Sequence, residues 1–173
     1  MQNTDYHIDK ESKHLSRSYD ALTLCISSIK SLENIFHALR NGSNNSIVSS
    51  LGGTGDYLAM THHGCANAIL EGFEKRRAEL ENIEANIEAR RNFVSTFLDE
   101  ITVIIDSIGQ LGTLFNAITK ITKKGTQDYE LAGIGLHLAS DWENNSDCIR
   151  EEIARDCGLY PLRAQPEKVN EKI

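Results

Sequence analysis

The feature that most constrains the fold is a run of apolar residues spaced alternately three and four positions apart. It extends from Ala66 to Ile118, and 14 of its 16 positions are apolar. The positions are Ala66, Ile69, Phe73, Arg76, Leu80, Ile83, Ile87, Arg90, Val94, Phe97, Ile101, Ile104, Ile108, Leu111, Phe115 and Ile118. This spacing is typical of one face of an α-helix that packs against a partner.

The same run predicts a single long central helix. No glycine or proline occurs from Phe73 to Asp106, and the register does not slip there. Because a turn between two helices usually resets the register, we expect one helix from about Asp56 to Lys124. The Lys-Lys-Gly sequence that ends at Gly125 is a typical helix end. The alternative is a tight turn near Asn92, with Ser95 as a new helix cap.

Two shorter helices are expected on either side of the central helix. The first lies within Leu15 to Arg40, and the last follows Leu131 to Ile153 and ends at Gly158 in a left-handed conformation. The apolar face of the first helix is made by Leu22, Cys25, Ile29, Leu32, Phe36 and Leu39. The Gly-, Ser- and Asn-rich segment Asn41–Gly55 predicts a mobile loop, after which Asp56 caps the central helix.

The glycines of this predicted loop do not form a nucleotide-binding motif. Gly52, Gly53 and Gly55 follow no predicted strand, and no Gly-Lys-Ser or Gly-Lys-Thr sequence comes after them. Both features are required for phosphate binding by a P-loop, and the strand is also required for a Rossmann fold. A flexible connection is therefore the expected role of the segment.

The domain organisation follows from these elements. We predict a flexible N-terminus at 1–11, one helical domain at 12–158 and a loose C-terminal tail at 159–173. An internal duplication into hairpins 12–92 and 93–158 is also predicted, because Leu22–Leu39 aligns with Ile101–Ile118. Matches that hydrophobicity alone does not require are Thr23 with Thr102, Ser28 with Ser107 and Ala38 with Ala117.

A continuous central helix would leave an apolar face uncovered, which predicts a homodimer. Each flanking helix could cover only one half of the central helix, giving two helical hairpins end to end. An antiparallel second chain would complete a four-helix bundle at each end. The predicted interface residues are Phe73, Arg76, Leu80, Ile83, Ile87, Arg90, Val94 and Phe97. The alternative all-α architecture is a monomeric up-down four-helix bundle.

Three side chains are weak candidates for metal ligands. His62 and Cys65 are spaced to share one helix face, and a hairpin would bring His37 near them. A tetrahedral zinc site needs a fourth ligand, and the sequence offers none at a suitable position. We therefore predict no metal and no cofactor, and a metal-binding bundle is kept as an alternative.

Charge and composition exclude several classes of function. The net charge of −7 argues against binding to nucleic acid or to an anionic membrane, because both require a basic face. The sequence contains a single Glu-x-x-His, Glu11 to His14, whereas a di-iron bundle needs one from each of two helices. No nucleophile motif occurs either, so we predict no enzyme activity. The apolar segment Ile101–Ile121 contains Asp106 and Lys120 and is expected in a bundle core, with a pore-forming role as an alternative.

The sequence thus favours a non-enzymatic helical protein–protein interaction module that acts as a homodimer. Regulation, scaffolding or inhibition of an unidentified protein partner would all suit an acidic helical dimer. A cytoplasmic location is expected, because the first 20 residues contain no apolar signal segment and the four cysteines form no CxxC pair.

Overall fold

Four α-helices make up the described part of the chain in a computed structural model. They are α1 (Gln2–Gly42), α2 (Ser46–Glu81), α3 (Ile87–Ile121) and α4 (Gln127–Asp156). The structure describes residues 2–81 and 87–159, with side chains at 15–79, 88–89 and 91–159. No strand occurs in these residues, so the predicted all-α class is confirmed.

The central helix is interrupted, so the prediction of one helix from Asp56 to Lys124 is wrong. Helix α2 ends at Glu81 and α3 begins at Ile87. The rings of Phe73 in α2 and Phe97 in α3 lie 4.3 Å apart between centroids. In one continuous helix these residues would be roughly 36 Å apart. The two helices therefore pack side by side.

The alternative turn near Asn92 is wrong in its position. Asn92 and Ser95 both lie inside α3, which is helical without interruption from Ile87 to Ile121. The boundary between the predicted hairpins 12–92 and 93–158 also falls inside α3. The helices instead pair as α1 with α2 and α3 with α4, and a duplication of such a pair stays a prediction.

The glycine-rich segment after α1 is helical, so the mobile loop predicted for Asn41–Gly55 is wrong over most of its length. Only residues 43–45 separate α1 from α2. Asn45 Oδ1 accepts hydrogen bonds from the backbone N–H groups of Ile47 (3.0 Å) and Val48 (3.4 Å). Asn45 rather than Asp56 therefore caps this helix.

Helix α1 runs antiparallel to both α2 and α4. Towards the N-terminal end of α1, Tyr19 contacts Phe73 of α2 at 6.3 Å between ring centroids. Towards the other end, Ser43 just after α1 donates a 2.6 Å hydrogen bond to Asp128 of α4. Arg17 forms ion pairs of 2.7 and 2.8 Å with two carboxylates near the C-terminal end of α4.

Helices α1 and α3 face each other across the core and run parallel. Arg91 near the start of α3 donates to the carbonyl oxygen of Gly158 after α4 at 2.6 Å, so α3 is antiparallel to α4. Phe36 of α1 and Phe115 of α3 stack with ring centroids 3.9 Å apart and an interplanar angle of 9°. All six predicted apolar positions of the first helix are fully buried, which confirms that prediction.

The pairs α1–α2 and α3–α4 pack in the same way. Gly55 of α2 faces the ring of Phe36, and Gly135 of α4 faces the ring of Phe115. The order of buried, half-buried and exposed positions in 51–70 recurs without a difference in 131–150. Residues 80 positions apart in α2 and α4 therefore occupy corresponding places in the two pairs.

The chain ends follow helix-termination rules where they are described. Gly158 adopts a φ of +64°, and the Leu159 N–H donates to the Ala154 carbonyl at 2.9 Å, which confirms the predicted end of the last helix. Helix α1 begins at Gln2 and so includes the segment predicted as a flexible N-terminus. The predicted tail lies outside the described residues from position 160 onward.

Candidate functional site

The residues predicted to join two chains lie partly in the core of one chain. Phe73, Val94 and Phe97 are 2%, 5% and 1% exposed because α2 and α3 pack against each other. Arg76 is exposed on α2. Four others lie outside the described side chains: Leu80, Ile83, Ile87 and Arg90. As an interface between chains this set stays a prediction.

The three candidate metal ligands do not converge. His37 Nδ1 lies 3.6 Å from Asp56 Oδ2, whereas His62 is six residues further along α2, or about 9 Å. Cys65 is exposed. Burial lowers the pKa of His62, which favours the neutral imidazole. No group of three or more metal-ligating side chains occurs in the part of the chain that the structure describes.

One ion pair neutralises the charge of the first part of α2. From Ser46 to Leu70 this helix contains no lysine or arginine and a single carboxylate, Asp56. Arg40 of α1 donates to Asp56 Oδ2 at 2.9 Å, and the Asp56 side chain is only 16% exposed. The pair links α1 to α2 and leaves the rest of this part of α2 without a fixed charge.

The solvent-facing side of this part of α2 is uncharged along its length, and we name it the α2 outward face. At 100° per residue its members fall within about 120° of the helix circumference. It consists of Ser50, Gly53, Thr54, Tyr57, Met60, Thr61, Gly64 and Ala68. Tyr57 and Met60 are 64% and 57% exposed, although both carry large apolar surfaces.

The corresponding side of α4 is charged. Its residues, each 80 positions after a member of the α2 outward face, are Glu130, Gly133, Ile134, His137, Ser140, Asp141, Asn144 and Cys148. His137 Nε2 lies 3.3 Å from Asp141 Oδ2 on this exposed surface. The two helix pairs therefore pack alike inside, but only the α2 side lacks ionised groups.

Glycines of α2 differ in whether the chain itself requires them. A Cβ atom at Gly52 would lie 2.7 Å from the backbone nitrogen of Arg40, so the close approach of α1 requires a glycine there. At Gly64, by contrast, nothing lies within 4 Å of the Cβ position. A glycine inside a helix costs about 1 kcal/mol relative to alanine, and the described contacts at Gly64 do not offset that cost.

A polar cavity of about 660 Å³ lies at the end of the molecule where the α1–α2 and α3–α4 connections meet. Its lining residues are Gly42, Asn44, Asn45, Ile121, Thr122, Lys123, Thr126, Gln127 and Asp128. The 2.6 Å hydrogen bond from Ser43 to Asp128 joins the α1–α2 connection to the first turn of α4 beside it. Asn45 and Thr126 are occupied in capping α2 and α4, so much of this polar surface is already satisfied.

One stretch of α3 is long and apolar enough to cross a membrane. It comprises the 31 residues Arg91–Ile121, and half of its most apolar window is buried inside the chain. The core helix of a bundle has the same length and composition, so this finding alone does not indicate a membrane role.

Sequence reasoning missed the α2 outward face because it placed residues 41–55 in a loop. A signal was present: the segment Leu51–Ala59, LGGTGDYLA, resembles Leu131–Ala139, LAGIGLHLA. Identical pairs are Leu51 and Leu131, Gly53 and Gly133, Gly55 and Gly135, Leu58 and Leu138, and Ala59 and Ala139. Because the second segment lies in a predicted helix, the likeness predicts a helix for the first.

The chain matches no known protein family, no curated protein and no solved structure.

Proposed function

We propose that the protein is a non-enzymatic interaction module that binds other protein surfaces through the α2 outward face. The difference between the outward sides of α2 and α4 carries this proposal. Both helices pack alike on the inside, so packing within the chain does not account for the difference. An uncharged, partly apolar helix side suits contact with another protein, because charged residues are depleted at the centres of interfaces.

The shape of the face favours a helical partner. Tyr57 and Met60 can act as anchors that bury apolar area, and Tyr is enriched among residues that dominate binding energy. Gly64 allows the backbone of another helix to approach closely, since it carries no side chain and nothing lies within 4 Å of its Cβ position. The partner surface that fits is an α-helix with an uncharged, partly apolar side of similar length.

The proposed interface of a homodimer differs from the one predicted from the sequence. The contacts among the described helices support the alternative architecture, in which four helices of one chain cover one another's apolar faces. A second chain would then add a contact rather than complete the bundle. We therefore propose the α2 outward face, in place of the seam from Phe73 to Phe97, as the surface for association. Regulation, scaffolding and inhibition remain the roles that such a module would serve.

Site-specific photo-cross-linking tests the proposed face. A benzophenone amino acid is placed at Met60 in the full chain, and a matched variant carries it at Ser140, the corresponding exposed position of α4. Each variant is irradiated with an excess of the unlabelled chain and, separately, in a cell extract. We expect protein adducts from position 60 that position 140 does not give and that Tyr57→Asp abolishes.

The control makes the result specific to the face. Equal adducts from both positions would indicate chance collisions with any exposed helix and would overturn the proposal. So would adducts from position 60 that persist in the Tyr57→Asp variant, because the predicted anchor would then contribute nothing.

The pore-forming alternative predicted from the sequence would use Arg91–Ile121, the stretch of the described chain that is long and apolar enough to cross a membrane. Insertion would require α3 to leave the core and to separate Phe115 from Phe36, which stack at 3.9 Å. The test is release of a trapped dye from phosphatidylglycerol vesicles at neutral and acidic pH. Release that stops when α3 is tied to α1 by an engineered disulfide would favour this role, and intact vesicles would exclude it under those conditions.

A further inference from the structure

We infer that the occupant of the α2 outward face is the same face of a second copy of this chain. The two α2 helices pack antiparallel about a twofold axis that crosses between Met60 and Thr61. This inference rests on the proposed function of the face and adds the identity of the partner and the register of the contact.

The pattern of large and small residues on the face is complementary to itself. A twofold axis places each residue opposite the one that lies equally far on its other side. Tyr57 of one copy then faces Gly64 of the second copy, and Gly53 faces Ala68. Met60 faces Thr61 at the centre. In each half of the dimer, the ring of Tyr57 thus lies opposite Gly64, where nothing in the same chain lies within 4 Å of the Cβ position.

The chain already uses this kind of contact inside each helix pair. Phe36 packs against Gly55, and a Cβ atom at Gly135 would lie 2.5 Å from the ring of Phe115. In both places an aromatic ring occupies the space that a missing side chain leaves. On the surface, Tyr57 provides the exposed ring and Gly64 provides the open space, with nothing within 4 Å of the Gly64 Cβ position. Two copies would combine them into the same kind of contact.

Charge favours this face for contact between two identical chains. Each copy carries a net charge of −7, so two copies repel each other over most of their surfaces. Contact through the uncharged α2 outward face brings no ionised side chains together at its centre. In the antiparallel register the exposed Glu71 lies opposite Ser50, near the N-terminus of the other α2. The partial positive charge of that helix end favours a carboxylate.

The size of the face predicts a reversible dimer. From Ser50 to Ala68 the helix is about 27 Å long, and a strip one helix wide covers on the order of 300 Å² per chain. Stable complexes usually bury about 800 Å² per partner, so we expect a weak dimer with a dissociation constant on the order of 10 μM. Tests of the contact therefore use the protein at roughly 100 μM.

Disulfide cross-linking of the full chain tests the register. The exposed cysteines are replaced by Cys65→Ser and Cys148→Ser, and Thr61→Cys is added beside the axis. Asp141→Cys in the same background is the matched control on α4. With a mild oxidant we expect the Thr61→Cys variant to form dimers about tenfold faster, because an interface raises the effective thiol concentration to millimolar values. Equal rates for the two variants would overturn the inference.

The native Cys65 supplies a second check on the register. It lies about 13 Å along the axis from its counterpart in the second copy, beyond the reach of a disulfide. We expect no dimer through Cys65 in the unmodified chain, and rapid dimer formation there would overturn the antiparallel register. If Thr61→Cys fails while the photo-cross-linker at Met60 still gives adducts with another protein that Tyr57→Asp abolishes, the second copy is wrong and the proposed function stands. If both fail, both proposals are wrong.

Discussion

At the scale of single residues, the glycines of α2 and α4 fall into two groups. Gly55 and Gly135 each face an aromatic ring of the neighbouring helix, whereas Gly64 and Gly133 have nothing within 4 Å of the Cβ position. The first group is required by close helix packing inside the chain. Gly64 lies on the proposed contact surface, where a second copy would supply the missing neighbour.

The packing role of Gly135 leads to a prediction about stability. Alanine there would place its Cβ 2.5 Å from the ring of Phe115, so the ring must move. We expect Gly135→Ala to lower the free energy of unfolding by about 1 to 2 kcal/mol, because overpacking outweighs the gain in helix propensity. Gly133→Ala, on the same helix, is expected to raise it by up to about 1 kcal/mol. Urea unfolding followed by circular dichroism measures both.

Equal stability of the two variants would contradict the close contact at Gly135. The comparison is informative because both substitutions add the same methyl group two residues apart on one helix. Only the surroundings of the methyl group differ.

These glycines also show where residue-level prediction from the sequence failed. Gly52, Gly53 and Gly55 are common loop residues, and on local propensity alone they predict a break. In the structure the approach of α1 demands small residues at Gly52 and Gly55, so tertiary packing overrides local propensity. Because residues 41–55 were predicted as a loop, the α2 outward face was not predicted. Asn45 as a helix cap and the likeness to Leu131–Ala139 are the sequence signals that indicate the helix.

At the scale of helices, the sequence predicted the buried faces of α1 and α3 correctly, but it wrongly placed the exposed Ile134 on the buried face of α4 and missed the reversal between α2 and α3. The spacing from Phe73 to Phe97 is the same on both sides of the break, because each helix directs its apolar face towards the same core. The spacing of apolar residues indicates which side of a helix is buried. It does not indicate whether the chain continues or reverses after that helix. No glycine or proline lies between Glu81 and Ile87. The local signals there are Asn82 and Asn86, residues of a type that caps helix ends, and the unbroken apolar spacing obscured them.

The reversal is testable through the contact between Phe73 and Phe97. Each is replaced by leucine, singly and together, and the free energy of unfolding is measured for all four proteins. Rings 4.3 Å apart should give a coupling energy of about 0.5 to 1.5 kcal/mol. The control cycle pairs Phe73 with Phe115, which stacks on Phe36 instead, and is expected to be additive. Additive behaviour of Phe73 and Phe97 would mean that α2 and α3 are not packed together.

At the scale of the whole molecule, two similar helix pairs enclose one core and differ in their outward sides. Helices α1 and α3 are joined at the centre by the stack of Phe36 on Phe115. Helix α2 presents an uncharged side to solvent, and α4 presents a charged one. A dimer through α2 would bury the exposed rings and methionines of both copies and leave their acidic surfaces apart.

The mass of the assembly in solution tests the central claim that the α2 outward face joins two chains. Sedimentation equilibrium at roughly 100 μM protein is expected to give a mass approaching twice 19.3 kDa that falls on dilution. Met60→Glu should give 19.3 kDa throughout, and the matched Ser140→Glu on α4 should behave like the unmodified chain. A mass of 19.3 kDa for the unmodified chain at the highest concentration, or an unchanged dimer in Met60→Glu, would contradict the claim.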